Sequence, residues 1–344
     1  MTTHLFSSLM AVCAIGLATS HAQDQPYRVA HRFNVPGDGR WDLLAVDEAT
    51  SRIFLSHGTE TNIVDERTGE LLGTVPDTKG VHGVAIAPGM KKGYISCGKD
   101  SSVVVFDLDT YKVLGHVQAT GGSPDAIVFE PFSNRVVVFN AHGSNATVID
   151  PRTDAVVTTI ALEGKPELCA SDGAGHLYVN LEDKSSICVI STATWNVESC
   201  WPIAPGEGPS GLALDNATHR LFAVCENKMM VVVDAVSGKV ITTLPIGERV
   251  DGAAFDPGNK RVYASNGEGS LTVVQQDAAD AYHVLATLPT QKGAKTLALD
   301  TRTHHVLLPT AEFSPAPEPT KDDPKPRPSV KPGTFVVLDV EPVK

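Results

Sequence analysis

Basic residues are in short supply: 28 Lys and Arg stand against 40 Asp and Glu, a formal charge of −12. That balance repels the phosphate backbone of nucleic acid and the anionic surface of a membrane, so neither is an expected partner. Long apolar runs are missing, and with them the stretch of about 20 residues that a transmembrane helix needs. Aromatics amount to only 6% of the chain, with no basic-aromatic stripe on which bases would stack. The cysteines never fall into a CxxC spacing, which argues against a zinc ribbon or a thioredoxin-type centre. Catalytic signatures are equally scarce: GxSxG, HExxH, a P-loop and a convincing dinucleotide fingerprint are all lacking. Helical periodicity is weak throughout, and the glycines sit in turns with no helix following to receive a phosphate.

What is present begins with a short, uncharged, mostly apolar run from Leu5 to Leu17, followed by Ser20-His21-Ala22, a small-x-small pattern that a signal peptidase cuts. This predicts a signal peptide over residues 1–22, a mature chain of residues 23–344 forming one domain, and a periplasmic or secreted protein. An oxidising compartment permits disulfides, and five cysteines remain after cleavage: Cys97, Cys169, Cys188, Cys200 and Cys225. Cys188 and Cys200 flank a turn near Thr194 and are the expected cross-strand pair. Buried, inert thiols are expected of the rest.

Internal repetition is the dominant signal. Leu43-Leu44-Ala45-Val46-Asp47, Gly83-Val84-Ala85-Ile86-Ala87, Ala126-Ile127-Val128-Phe129-Glu130 and Leu168-Cys169-Ala170-Ser171-Asp172 are four copies of one segment. Gly211-Leu212-Ala213-Leu214-Asp215, Gly252-Ala253-Ala254-Phe255-Asp256 and Thr296-Leu297-Ala298-Leu299-Asp300 bring the number to seven, spaced 40 to 44 residues apart. A period of that size is one four-stranded propeller blade. Each unit continues with a polar turn and a second strand such as Arg261-Val262-Tyr263-Ala264-Ser265. A third strand ends in Asp, as in Val231-Val232-Val233-Asp234, and the turn Asp234-Ala235-Val236-Ser237-Gly238 leads to the fourth. Small residues recur in the first strands (Ala45, Ala85, Val128, Ala170, Ala213, Ala254, Ala298), as crowding near a propeller axis demands.

The seventh unit runs out after its third strand, Thr334 to Asp339, while Tyr27 to Val35 reads as a fourth strand with no unit of its own. The fold expected is therefore an all-β, seven-bladed β-propeller of four-stranded antiparallel blades, its ring closed by an N-terminal strand in the last blade. Ser314 to Gly333, with seven prolines, interrupts that blade between its second and third strands and is expected to form an extended surface loop, either a docking arm or lid or a solvated insertion.

The unit from Val231 through Gly247 resembles the YVTN repeat of YncE-like bacterial β-propellers, and the resemblance extends over nearly the whole mature chain. It implies the propeller fold and an exported binding or surface protein, many members having no assigned reaction. Relatives of this repeat type include nucleic-acid binders, a role the acidic charge disfavours here.

Alignment of the units exposes a column just before each first-strand segment: Asp42, His82, Asp125, Glu167, Ser210, Asp251 and Lys295. These are expected to ring one mouth of the central channel. Asp42, His82, Asp125, Glu167 and Asp251 form the candidate ligand site, with Asp125, Glu167 and His82 as candidate ligands of a divalent metal ion. Ser210 and Lys295 break the ring, and Arg40, Lys165 and Arg249 are near enough in sequence to neutralise the acids, which is the purely structural reading of the column. Loops after the second strands add His57, His142, Glu182, Glu226 and Glu312 on the same face. The function expected is a binding or scaffold protein that takes a small molecule, metal ion or protein partner at the channel face. The alternative is a metal-dependent lactonase or lyase with His82 as general base.

Overall fold

The computed structural model describes residues 25–321 and 324–343. The expected signal peptide, with its cut after Ala22, lies outside the described residues, as do Asp322 and Asp323 within the proline-rich insertion.

Seven separate four-stranded antiparallel sheets form the body of the protein. Their first strands are Trp41–Asp47, Val81–Ala87, Pro124–Glu130, Pro166–Ser171, Pro209–Asp215, Val250–Asp256 and Ala298–Asp300. Each of these strands touches its counterparts in the two neighbouring blades, and the last touches the first, so the ring is complete. Small side chains make this approach feasible: Ala85 and Ala213 are buried where first strands crowd together.

Second and third strands are buried on both faces, as in Arg135–Asn140 and Asn145–Asp150, and their residues read as near-continuous Val, Ile and Phe. Their side chains interdigitate between blades; Val137 and Phe139 of the third blade pack with Leu177 and Val179 of the fourth. Fourth strands face solvent and contribute a single buried anchor each in such cases as Val75, Val117 and Leu244. The Asp turn recurs as the repeat predicts. Asp234 Oδ1 accepts the N–H groups of Val236 and Ser237 at 3.1 and 2.8 Å, and Gly238 closes the turn at φ 71°.

Tyr27–Asn34 pairs antiparallel with Val336–Pro342, completing the seventh blade from the opposite end of the chain. Phe33 and Val35 enter one apolar cluster with Phe335 and Val337, while the Tyr27 hydroxyl lies 2.9 Å from that of Tyr263 and accepts Arg261 Nη1 at 2.7 Å. Two boundaries differ from expectation. The third strand of blade seven starts at Val336 rather than Thr334 and runs on to Pro342, because the N-terminal strand offers a partner for its last residues. The first strand of that blade keeps only Ala298–Asp300, since the chain ahead of it is drawn towards the channel at Lys295 and Thr296.

Cys188 and Cys200 are opposite each other in register and joined by a disulfide; Cys97, Cys169 and Cys225 are free thiols. Burial pushes all three thiols up to about 12, so they stay protonated and inert at neutral pH.

Removal of the aromatic ring that anchors the closing strand tests the closure: Phe33→Ala is expected to cost about 3 kcal/mol in urea unfolding. A loss below 1 kcal/mol, on the order of a surface substitution, would show that the strand does not hold the ring.

Candidate functional site

Register explains how the column residues reach the channel. Trp41 pairs with His57 and Leu44 with Leu55, leaving Asp42 and Leu43 opposite the single residue Ser56. The same slip recurs at His82, Asp125, Glu167, Ser210 and Asp251, so these residues lie on bulges in the second position of their strands rather than ahead of them. Bulges re-aim side chains, and here they turn a strand residue towards the axis. Lys295 precedes its short strand instead.

Hydroxyls and amides of one blade grip the backbone of the next at this level. Thr296 Oγ1 donates to the carbonyl of Asp42 at 2.6 Å, Ser265 Oγ to that of Lys295 at 2.6 Å, and Asn180 Nδ2 to that of Ser210 at 3.0 Å. The column is thereby held to a rigid ring, a good platform for a binding site.

The mouth opens into a cavity of about 1160 Å³ that all five candidate ligand residues line. His82 Nδ1 sits 2.7 Å from Asp42 Oδ2 and 3.6 Å from Asp125 Oδ1. Gly98 makes room for the ring: a methyl group there would lie 2.7 Å from His82 Nε2. Lys295 takes the other oxygen of Asp42 at 3.3 Å and also bonds Asp251. Glu167 is claimed by Lys165 at 2.6 Å, which reaches Glu182 as well. Structure thus brings together Asp42, His82 and Asp125, whose donor atoms all lie within 4.8 Å of one another, and leaves Glu167 in a separate ion pair.

The charges are under tension. Burial pushes Asp125 up to about 6, against the pull of His82 and with the help of Asp42 and Asp251. Burial likewise raises Asp251, though Lys295 is bonded to it, and raises Glu167 despite Lys165 alongside. Asp42 is also desolvated, but Lys295 and His82 together outweigh that and hold it below the usual carboxylate range. For His82, burial favours the neutral ring, and the bond to Asp42 with the field of Asp125 overcomes it and lifts the imidazole above its ordinary value.

Lys295, which breaks the acidic column in the sequence, is therefore its principal counter-charge. Of the three cations expected in that role, Lys165 fills it, whereas Arg40 donates instead to the carbonyl of Pro328 at 2.8 Å and Arg249 makes no ion pair among the described residues. The second-strand loops do open on this face, and Glu182 and Glu226 line the cavity. His57 is buried beneath the proline-rich insertion, stacked 4.2 Å from Phe335, and Glu312 pairs with Lys331 at 2.8 Å; neither lines the cavity, and neither does His142.

Between Phe313 and Val330 the insertion doubles back on itself and returns to the channel mouth, where Phe313, Arg327 and Pro328 form part of the wall. Arg40 holds it through Pro328, Asp38 Oδ1 accepts the Gly333 N–H at 3.2 Å, and Trp41 packs on Phe313. Sequence reasoning missed this placement because prolines report an extended backbone without saying where it leads.

No family model matches the chain, and no curated protein does. Among solved structures, hydrazine synthase of Kuenenia stuttgartiensis shares 18% identity at a TM-score of 0.70 over 86% of this chain and 96% of that one. A chain of the mitotic checkpoint complex superposes with a TM-score of 0.74 and 10% identity, covering 100% of this chain and 99% of its own. The U3-55K structure gives 0.72 and 10% over 92% and 98%. At these identities the likeness carries the fold alone: the protein is a seven-bladed β-propeller.

A carboxyl raised in the fold makes stability fall as pH rises from its unfolded value through its folded one. Asp125 has that window between the usual 3.8 and about 6. Asp125→Asn is accordingly expected to be more stable than the parent at pH 8, by about 1 kcal/mol in chelator-containing urea titrations, with the gain vanishing towards pH 4. A variant less stable than the parent at pH 8 would mean that the carboxylate is satisfied where it stands.

Proposed function

We propose that this chain is an exported binding protein that captures a divalent cation at the mouth of its propeller, between Asp42, His82 and Asp125. The observation that carries this reading is one nitrogen, His82 Nδ1, facing two carboxylate oxygens at 2.7 and 3.6 Å from different blades. A proton on Nδ1 bonds Asp42 and stands where a Lewis acid would stand. Exchange of that proton for a divalent ion leaves a neutral imidazole and two carboxylates as ligands, a set suited to Mn²⁺ and its neighbours. Asp125, which burial raises, would be relieved by the ion's charge.

Support for export comes from the apolar run Leu5 to Leu17 with its small-x-small end, and from the disulfide between Cys188 and Cys200. Resemblance to YVTN repeats points the same way. The name of one structural neighbour is that of a complex, the mitotic checkpoint complex, and the same channel face would suit a protein partner once loaded. The lactonase or lyase alternative needs a general base, and His82 is the less suited to it because Nδ1 is already bonded to Asp42, with Asp125 facing the same nitrogen.

Calorimetric titration of Mn²⁺ into the protein is expected to show one site, tighter at pH 8 than at pH 6 because protons compete for the same donors. His82→Gln and Asp42→Asn should weaken it by about tenfold or more, while His142→Ala leaves it unchanged. Absence of a single saturable site, or equal affinity in His82→Gln, would sink the reading. Export has its own check, since N-terminal sequencing of the processed protein should begin at Gln23.

A further inference from the structure

Cations in the cavity wall divide into two groups. Lys165 and Lys295 are spent on carboxylates. Arg40 is bonded to the carbonyl of Pro328 and Lys99 of the second blade is unpaired among the described residues; Arg249, Lys292 and Arg327 line the same cavity and likewise make no side-chain hydrogen bond or ion pair among the described residues. They come from adjoining parts of the ring: Arg249 opens the sixth blade, Lys292 lies between the sixth and seventh, and Arg327 arrives on the proline-rich insertion.

Backbone conformation adds an independent observation at Arg249. The position just ahead of a first strand is left-handed in several blades, at Gly80 (φ 65°), Ser123 (φ 57°) and Gly208 (φ 61°). The sixth blade puts Arg249 there, at φ 60°. Left-handed backbone crowds Cβ against the following carbonyl, so glycine is the residue that fits it without strain. The arginine stands there on the wall of the cavity.

The ion cluster supplies the complementary half. Asp42, His82 and Asp125 provide three donors, fewer than the six that Mn²⁺ takes, so open positions face the cavity. At about 1160 Å³ the space is far larger than an ion with its waters requires. Two carboxylates already balance a divalent charge, and Arg249, Lys292 and Arg327 are exposed on the cavity wall with no ion pair among the described residues, free to meet an anion. An anion that coordinates the metal through some of its oxygens and presents others to these side chains satisfies both halves. Guanidinium groups match carboxylates in a planar, two-point geometry.

We propose that the ligand is a divalent cation carried as its complex with a small polycarboxylate, the metal seated at Asp42, His82 and Asp125 and the free carboxylates held by Arg249, Lys292 and Arg327. This rests on the cation reading above, and the test separates the two. Equilibrium dialysis with radiolabelled citrate and Mn²⁺ in equal amounts is expected to retain both in one-to-one ratio. Citrate without Mn²⁺ should be retained about tenfold less well. Arg249→Gly combined with Arg327→Gln should keep Mn²⁺ but lose citrate by about tenfold or more. Arg249→Gly alone should raise the melting temperature, because glycine removes the backbone strain, so a loss of citrate there cannot be blamed on unfolding. Retention of Mn²⁺ with no citrate, or citrate held equally by the double variant, overturns the polycarboxylate proposal and leaves the cation site standing. Citrate held equally well without Mn²⁺ overturns the joint ligand. Failure to retain Mn²⁺ overturns both.

Discussion

The pairing of Tyr27–Asn34 with Val336–Pro342 joins the two ends of the chain, and the channel face depends on it. An open array of seven sheets would expose the edge of its last blade and leave its first strand without a neighbour. Closed, the ring forces seven first strands against one another. That crowding calls for small residues along the strands, and in six of them a bulged position turns towards the axis. Charges from different blades are then held together by the geometry of the ring and not by attraction alone, which is how Asp125 comes to lie close to Asp42 and His82, and within the field of Asp251, at a cost in ionisation.

That cost marks the site off from most ion pairs elsewhere, Glu66 beside Asp300 and Arg302 being an exception raised to about 7. Asp47 with Arg52, or Asp234 with Arg220, is a carboxylate matched by a guanidinium and by turn N–H groups, and each acid is held below its usual range. At the channel mouth the acids outnumber the cations that reach them, and burial raises three carboxyl groups: Asp125, Glu167 and Asp251. Groups pushed off their ordinary values in a cavity are where a ligand gains most from supplying the missing charge.

Much of the fold was legible because repetition converts weak local signals into one strong one. The alignment of Val231–Gly247 with its counterparts located the Asp turn and the third and fourth strands, that of the first-strand segments exposed the column at the mouth, and the unpaired ends predicted closure. What the alignment could not carry was anything that differs between blades. Lys295 broke the pattern and so looked like a gap, yet its length lets it reach Asp42 and Asp251 at once. Asp42, not Glu167, completes the cluster with His82 and Asp125, because Lys165 two residues from Glu167 captures it. The return of the insertion to the mouth depends on Arg40 and Asp38 gripping Pro328 and Gly333, contacts between residues nearly three hundred positions apart.

The central claim is that the bulged column assembles a cation site from Asp42, His82 and Asp125. Anomalous diffraction from crystals grown with Mn²⁺ near pH 8 tests it most directly. The account predicts one strong peak within bonding distance of His82 Nδ1 and of a carboxylate oxygen from each aspartate, with Lys295 still on Asp251. A peak confined to other carboxylates, or none at the channel mouth, would contradict it.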